Sequence, residues 1–267
     1  MRRGANILDP ESVKETIAYA DEWNENTKST RVLNYASFLK FLGLTWEEPR
    51  YKRTSKIPFI PTEKEINDLV AHAGKKLSVA LAIAKGTGAR IGEILRLRWT
   101  DINDENKTVT FNSPEKGSNS RIINIRSTLL GMIMTLPKKY EYVFGTPNGI
   151  ATSSGYSSRL ASVRKRCSWK LNNPRLNQIS FHTIRHWKGT REYHKTKDIL
   201  HVKELLGHKN INNTLIYINL ERAVFKTSND EFTVRAVNTL EEACKLLEVG
   251  FEYVTDINDK KLFRKRK

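Results

Sequence analysis

Between residues 10 and 44, apolar side chains recur every three or four positions, and Val32, Tyr35, Phe38, Leu39 and Leu42 share one side of a 3.6-residue spiral. That spacing predicts amphipathic helices, the last of them stopped by Gly43. The pattern then fails in "TWEEPRYKRTSKIPFIP", where Pro49, Pro58 and Pro61 exclude a continuous helix. Thr62 followed by Glu65 has the spacing of a capping box, so a new helix and a second domain are expected to start there. Small apolar residues carry the helical period through Ala84, a break is expected at Gly86 to Gly88, and Ile91, Ile94, Leu95 and Leu97 mark the next helix. Period-two alternation follows in "KTVTFN" and "RIINIR", separated by the turn formers of "SPEKGSNS", which predicts a β-hairpin with a loose, lysine-bearing tip.

Helical spacing returns around "SSGYSSRLASVRKRC". In "DILHVKELLGHKN" the residues Ile199, Val202, Leu205 and Leu206 line one face, and Gly207 supplies a C-cap that places His208 in a turn. "NNTLIYINL" resumes a helix and carries Tyr217, and the last stretch reads as strand, helix, strand, turn and strand. The expected class is mainly α with a small β-sheet (α+β).

Charge changes what this architecture is expected to bind. Lys and Arg number 46 against 29 Asp and Glu in 267 residues, a formal +17 that makes a polyanion the leading partner. An anionic membrane is the rival, but there is no apolar run of bilayer length, no signal-type N-terminus and no strongly apolar face opposite a basic helix. Cys167 and Cys244 are too few for a disulfide framework or a cysteine zinc cluster, which points to a reducing, cytoplasmic setting. Arg50, Lys52, Arg53 and Lys56 make the proline-rich segment basic, either as a linker lying on nucleic acid or as a solvated loop.

Four separated patches carry residues suited to phosphate chemistry: "TGARIGEIL", "SPEKGSNSR", "FHTIRHW" and "LLGHKNINNTLIYI". Each is weak alone. His182 and His186 share a helical face as paired metal ligands often do, yet Arg185 between them suits an anion. Arg90 and Glu93 alone read as a surface pair worth about 0.2–0.5 kcal/mol. Tyr217, among Leu215, Ile216 and Ile218, alone reads as a core residue, and Lys116 has rivals in Lys107 and Lys85. His72, His194 and His201 are expected on the surface or in packing, Trp187 in the core, and Gly88 in the turn that enters the Arg90 helix.

Taken together, in order and spacing, the patches resemble the tyrosine recombinase (lambda-integrase-like) superfamily, with the flavour of archaeal integrases and Xer-type recombinases, from about Thr62 to Leu220. The resemblance implies catalytic roles for Arg90, Lys116, His182, Arg185, His208 and Tyr217, with Glu93 in support and no cofactor or metal. It implies site-specific cleavage and rejoining of double-stranded DNA through a 3′-phosphotyrosyl intermediate, for integration or excision of a mobile element, with two alternatives: Xer-like resolution of chromosome or plasmid dimers, and a non-catalytic DNA-binding protein on the same fold. It further implies a homo-oligomer on DNA, a tetramer in the synapse, acting in the cytoplasm at the nucleoid. The domains expected are a short helical DNA-clamp domain at 1–56, the end of the linker at 57–61, the catalytic domain at 62–228 and a β-α-β-type tail at 229–267. That tail serves either as an element exchanged between protomers or as a cap on the catalytic core.

Overall fold

Capping residues set where most of the helices begin. The computed structural model describes residues 4–54, 57–115, 117–225, 232–257 and 260–266, and the chain divides into two units, Met1–Ile57 and Pro58–Lys267. In the first, Asp9 caps α1 (Pro10–Ala18) by accepting from the Glu11 N–H, and Asn24 caps α2 (Glu25–Phe41) by accepting from the Thr27 N–H. Val13, Ile17, Val32, Tyr35 and Leu39 form its core, with the Trp46 ring edge-on to Tyr35 at 4.8 Å. Leu42, expected on the buried face, is instead the C-cap and 42% exposed, because Gly43 at φ 73° turns the chain there.

The second unit opens on the expected capping box. Thr62 Oγ1 accepts from the Glu65 N–H at 3.2 Å and Glu65 Oε2 accepts from the Thr62 N–H at 2.8 Å, starting α3 (Glu63–His72). Helix α4 (Lys75–Thr87) runs through Gly86, so the break expected at Gly86 to Gly88 narrows to Gly88, whose φ of 68° ends the helix. Leu77, Val79, Ala80, Leu81, Ile83 and Ala84 are all buried, since α4 packs against α3 and against four later helices. The next helix, α5 (Ile91–Leu95), is a single turn and a half, and Leu97 is buried just beyond it.

The hairpin forms as β2 (Thr108–Phe111) and β3 (Arg121–Asn124), joined on the other side by the two-residue β1 (Ile102–Asn103) in antiparallel order β1-β2-β3. Its register pairs Phe111 with Arg121 and Val109 with Ile123, sending these side chains to one face. Then follow α6 (Ser127–Met134), the short pair β4 (Gly145–Thr146) and β5 (Gly149–Ile150), and α7 (Ser153–Lys170). Three helices complete this core: α8 (Phe181–Thr196), α9 (Ile199–Leu206) and α10 (Asn212–Val224). Helix α8 packs against α4, α9 and α10, and Trp187 joins the main core.

The tail holds β6 (Phe232–Val237), α11 (Leu240–Glu248), β7 (Glu252–Ile257) and β8 (Lys260–Arg266), with an antiparallel sheet in the order β6-β8-β7. Among its described residues, Ala243 of α11 and Phe263 of β8 are buried. The chain is thus mainly α with small sheets. Among the described residues no helix is long and apolar enough to cross a membrane.

Candidate active site

Arg185 ties three segments together. It lies in α8, is 2% exposed, and its fork donates from Nη1 to the Gly88 carbonyl and from Nη2 to the Leu206 carbonyl, each at 2.7 Å. Gly88 ends α4 and Leu206 ends α9, so one guanidinium uses carbonyls that these helix ends leave free. Burial, then the charge of Arg90, lowers its pKa to about 10, which leaves it charged at neutral pH.

Arg90 sits at the N-cap of α5, two residues after Gly88. Glu93 Oε2 accepts from the Arg90 N–H at 2.9 Å, and Arg90 Nη1 donates to Glu93 Oε1 at 3.3 Å and to Ser118 Oγ. Glu93 is no surface partner: its side chain is 1% exposed and takes a second arginine, Arg121, with Nη2 2.7 Å from Oε2. Burial alone would raise the Glu93 pKa, but the hydrogen bond and charge of Arg121, with the N–H groups of Arg90 and Glu115, bring it below the usual value. Sequence reasoning missed Arg121. The signal available was its place at the start of an alternating strand opposite Phe111, a position that faces inward.

Lys116 lies outside the described residues, but the residues beside it are held in the site. The Glu115 N–H donates to Glu93 Oε1 at 3.3 Å, and the Asn119 N–H donates to the Gly207 carbonyl at 2.9 Å. Gly207 is at φ 70°, and a Cβ there would meet the Asn119 carbonyl and Arg121 Nη1, each at 2.9 Å. Only glycine allows the hairpin to approach the turn that bears His208.

His208 is 8% exposed, and its Nδ1 stands 2.9 Å from Thr214 Oγ1 at the start of α10. Burial, then the arginines Arg185, Arg90 and Arg121, lowers its pKa to about 4, so the ring is neutral at physiological pH. Tyr217 is 1% exposed, with its ring parallel to that of His208 at 6.4 Å and tilted 54° to that of His186 at 5.9 Å. Burial pushes the Tyr217 hydroxyl up to about 12 against the opposing pull of Arg185 and Arg90.

Gly189 of α8 makes room for the Tyr217 ring, since a Cβ would lie 2.6 Å from Cζ. In an exposed helix, Gly→Ala gains about 1 kcal/mol of propensity. Here the clash dominates, and Gly189→Ala is expected to destabilise by about 1–3 kcal/mol. A melting temperature above that of the wild type would contradict this contact.

His182 is exposed in the first turn of α8, and its ring meets that of His186 edge-on at 4.4 Å. His186 has a buried Nδ1 without a hydrogen-bond partner, and burial, then the charges of His182 and Arg185, lowers its pKa to about 4. Among the described residues no group of three or more His, Cys, Asp or Glu side chains is placed to hold a metal ion. Unfolding frees both His186 and His208 to titrate near 6.5. The unfolded chain then binds more protons between pH 6.5 and 4, so stability present above pH 6.5 is expected to fall as the pH drops through that window. Denaturant titrations across it check this, and replacing His208 with Gln should flatten the slope.

Arg50, Lys52 and Arg53 belong to the first unit and are exposed, with Arg53 Nε donating to Ser29 Oγ at 2.9 Å. Lys56 lies outside the described residues.

The phage integrase family model matches residues 61–223, the span that holds every side chain of the cluster. Tyrosine recombinase XerC of Bacillus pumilus is 26% identical over 235 residues, covering 78% of this chain and 74% of the relative. Tyrosine recombinase XerA of Pyrococcus horikoshii is 26% identical over 223 residues, covering 77% and 75%. Among solved structures, the Tn1549 transposon integrase in complex with transposon right-end DNA superposes with a TM-score of 0.62 at 18% identity, covering 81% of this chain and 84% of that one. The XerH site-specific recombinase bound to its difH substrate gives 0.60 at 20% identity, covering 81% and 69%. The solved structures share the fold, the sequence relatives share most of their length, and the family model spans more than half of the chain, which belongs to the phage integrase family of tyrosine recombinases.

Proposed function

We propose that this chain cleaves and rejoins double-stranded DNA at a specific site with Tyr217 as the nucleophile. The hydroxyl oxygen bonds to phosphorus, the bond to the 5′ oxygen breaks, and a 3′-phosphotyrosyl link retains the phosphoester for resealing by a 5′ hydroxyl without ATP. The observation that carries this reading is the Arg185 fork on the carbonyls of Gly88 and Leu206, which brings the Arg90 turn and the His208 turn to the helix bearing His182.

Charge builds on the non-bridging oxygens as Tyr217 attacks, and donors fixed in advance stabilise that state more than the ground state. Arg90 and Arg185 supply the charged donors, and His208, neutral, supplies a hydrogen bond to the same phosphate. A phenol with a pKa near 12 must lose its proton as it attacks, and the exposed His182 accepts it. The departing 5′ oxygen takes a proton from Lys116. Arg50, Lys52, Arg53 and Lys56 contact the DNA backbone, and four copies meet in the synapse, at the nucleoid in the cytoplasm. Integration or excision of a mobile element is the role we favour, in keeping with the similarity to a transposon integrase, and Xer-like resolution of DNA dimers is the alternative.

The test is a duplex nicked next to the cleavage site, so that the short released fragment diffuses away and the intermediate is trapped. An SDS-resistant adduct that forms equally well in EDTA is expected. DNA binding without any adduct would instead support a non-catalytic protein. Lys116→Ala is expected to lose cleavage of the ordinary diester and to recover it when a bridging 5′ sulfur makes a leaving group that needs no acid. Equal loss on both substrates would remove Lys116 from the acid role.

A further inference from the structure

Arg121 is a buried cation in the site to which the chemistry above gives no task. Its side chain is 6% exposed, Nη2 donates to Glu93 Oε2 at 2.7 Å and Nη1 to Oε1 at 3.5 Å. Its guanidinium lies over the Phe111 ring at 4.8 Å, while Nε is buried with no partner. Glu93 also takes Arg90 Nη1, at the longer distance of 3.3 Å, and the N–H groups of Arg90 and Glu115. One carboxylate is therefore shared unequally by two arginines, with the closer one deep and the other, at 19% exposure, nearer the surface.

We propose that Arg121 is a positioning residue for strand cleavage: by neutralising Glu93 from beneath, it fixes the carboxylate that orients Arg90 and leaves that guanidinium available to the phosphate. This rests on the phosphate-clamp reading given above. The physical argument is competition. A desolvated carboxylate draws in whatever cation is within reach, and without Arg121 that cation is Arg90 itself. Arg121 also packs against Gly207 beside His208, and it begins the strand that returns from the hairpin tip, so the same guanidinium abuts three parts of the site. A role in stability alone explains this poorly, because buried ion pairs stabilise little against apolar packing and the unpartnered Nε donor is unfavourable.

The experiment is a double-mutant cycle with Arg121→Met, Glu93→Gln and both together, read by melting temperature, affinity for the nicked duplex and single-turnover rate of adduct formation. Arg121→Met is expected to bind DNA as the wild type does but to form the adduct about 100-fold more slowly. If Arg121 acts through Glu93, then in the Glu93→Gln background the same substitution costs no further rate, although melting temperature recovers because no lone charge is left buried. Multiplying rate losses, or a rate that recovers along with the melting temperature, overturns the proposal. Should the methionine variants fail to fold, Arg121→Lys and Arg121→Gln decide, compared at a temperature where both are folded: the lysine keeps the charge that neutralises Glu93, so a faster rate than the glutamine variant's supports positioning, and equal rates overturn it. An inactive wild-type chain would mark failure of the proposed function itself, whereas slow variants beside an active wild type bear on Arg121 alone.

Discussion

Tyr217→Phe is expected to abolish adduct formation, a loss of at least about 10⁴-fold, while the protein melts at or slightly above the wild-type temperature and still binds DNA. The substitution removes one oxygen. The ring that fills the space over Gly189 and lies beside His208 and His186 is unchanged, so the packing of α10 on α8 has no reason to loosen. Tyr217 is 1% exposed as a residue, and no hydrogen bond among the described residues holds its hydroxyl strongly enough to make the oxygen a large contributor to stability, so the phenylalanine form is expected to be no less stable. Activity and stability thus separate at this position. Adduct formation by Tyr217→Phe would contradict the assignment of the nucleophile, and its collapse into an unfolded chain would contradict the account of the packing.

Arg185 should behave in the opposite way, losing both. Arg185→Ala removes a clamp donor, worth about 10²–10³-fold in cleavage, and leaves the carbonyls of Gly88 and Leu206 without their donors. Each orphaned carbonyl costs about 1–3 kcal/mol, partly offset because a buried charge is also removed. Arg185→Lys keeps a charge but cannot span two carbonyls 2.7 Å from separate nitrogens of a rigid fork, so it is expected to cleave slowly too. Thermal melts beside single-turnover rates check this, and a lysine variant with wild-type rate would reduce Arg185 to a structural strut.

Features that depend on local chemistry were legible in the sequence. The Thr62 and Glu65 box, the Gly207 cap with His208 just beyond it, and the alternating strands flanking the hairpin each follow from a few adjacent residues. The tail's strand, helix and paired strands were readable for the same reason. Long-range packing was not. Glu93 looks like half of a surface pair because its burial is created by Arg121, 28 residues away on β3. Arg121 itself reads as an ordinary polar strand residue until the register puts it opposite Phe111 and under Glu93. Gly189 looks like a weak point in a helix, and only the ring of Tyr217 explains it. Leu42 shows the converse error: apolar spacing placed it in the core, while the turn at Gly43 left it exposed. Arg90, Arg185, His208 and Tyr217 could be proposed from a motif order, but that a single guanidinium holds two helix ends together could not.

The most direct measurement of the central claim is mass spectrometry of the trapped protein–DNA adduct after digestion with protease and nuclease. The account predicts a single modified peptide spanning Tyr217, carrying a nucleotide joined through its 3′ phosphate to the tyrosine oxygen. A nucleotide on any other residue, attachment through a 5′ phosphate, or no covalent species at all would contradict it.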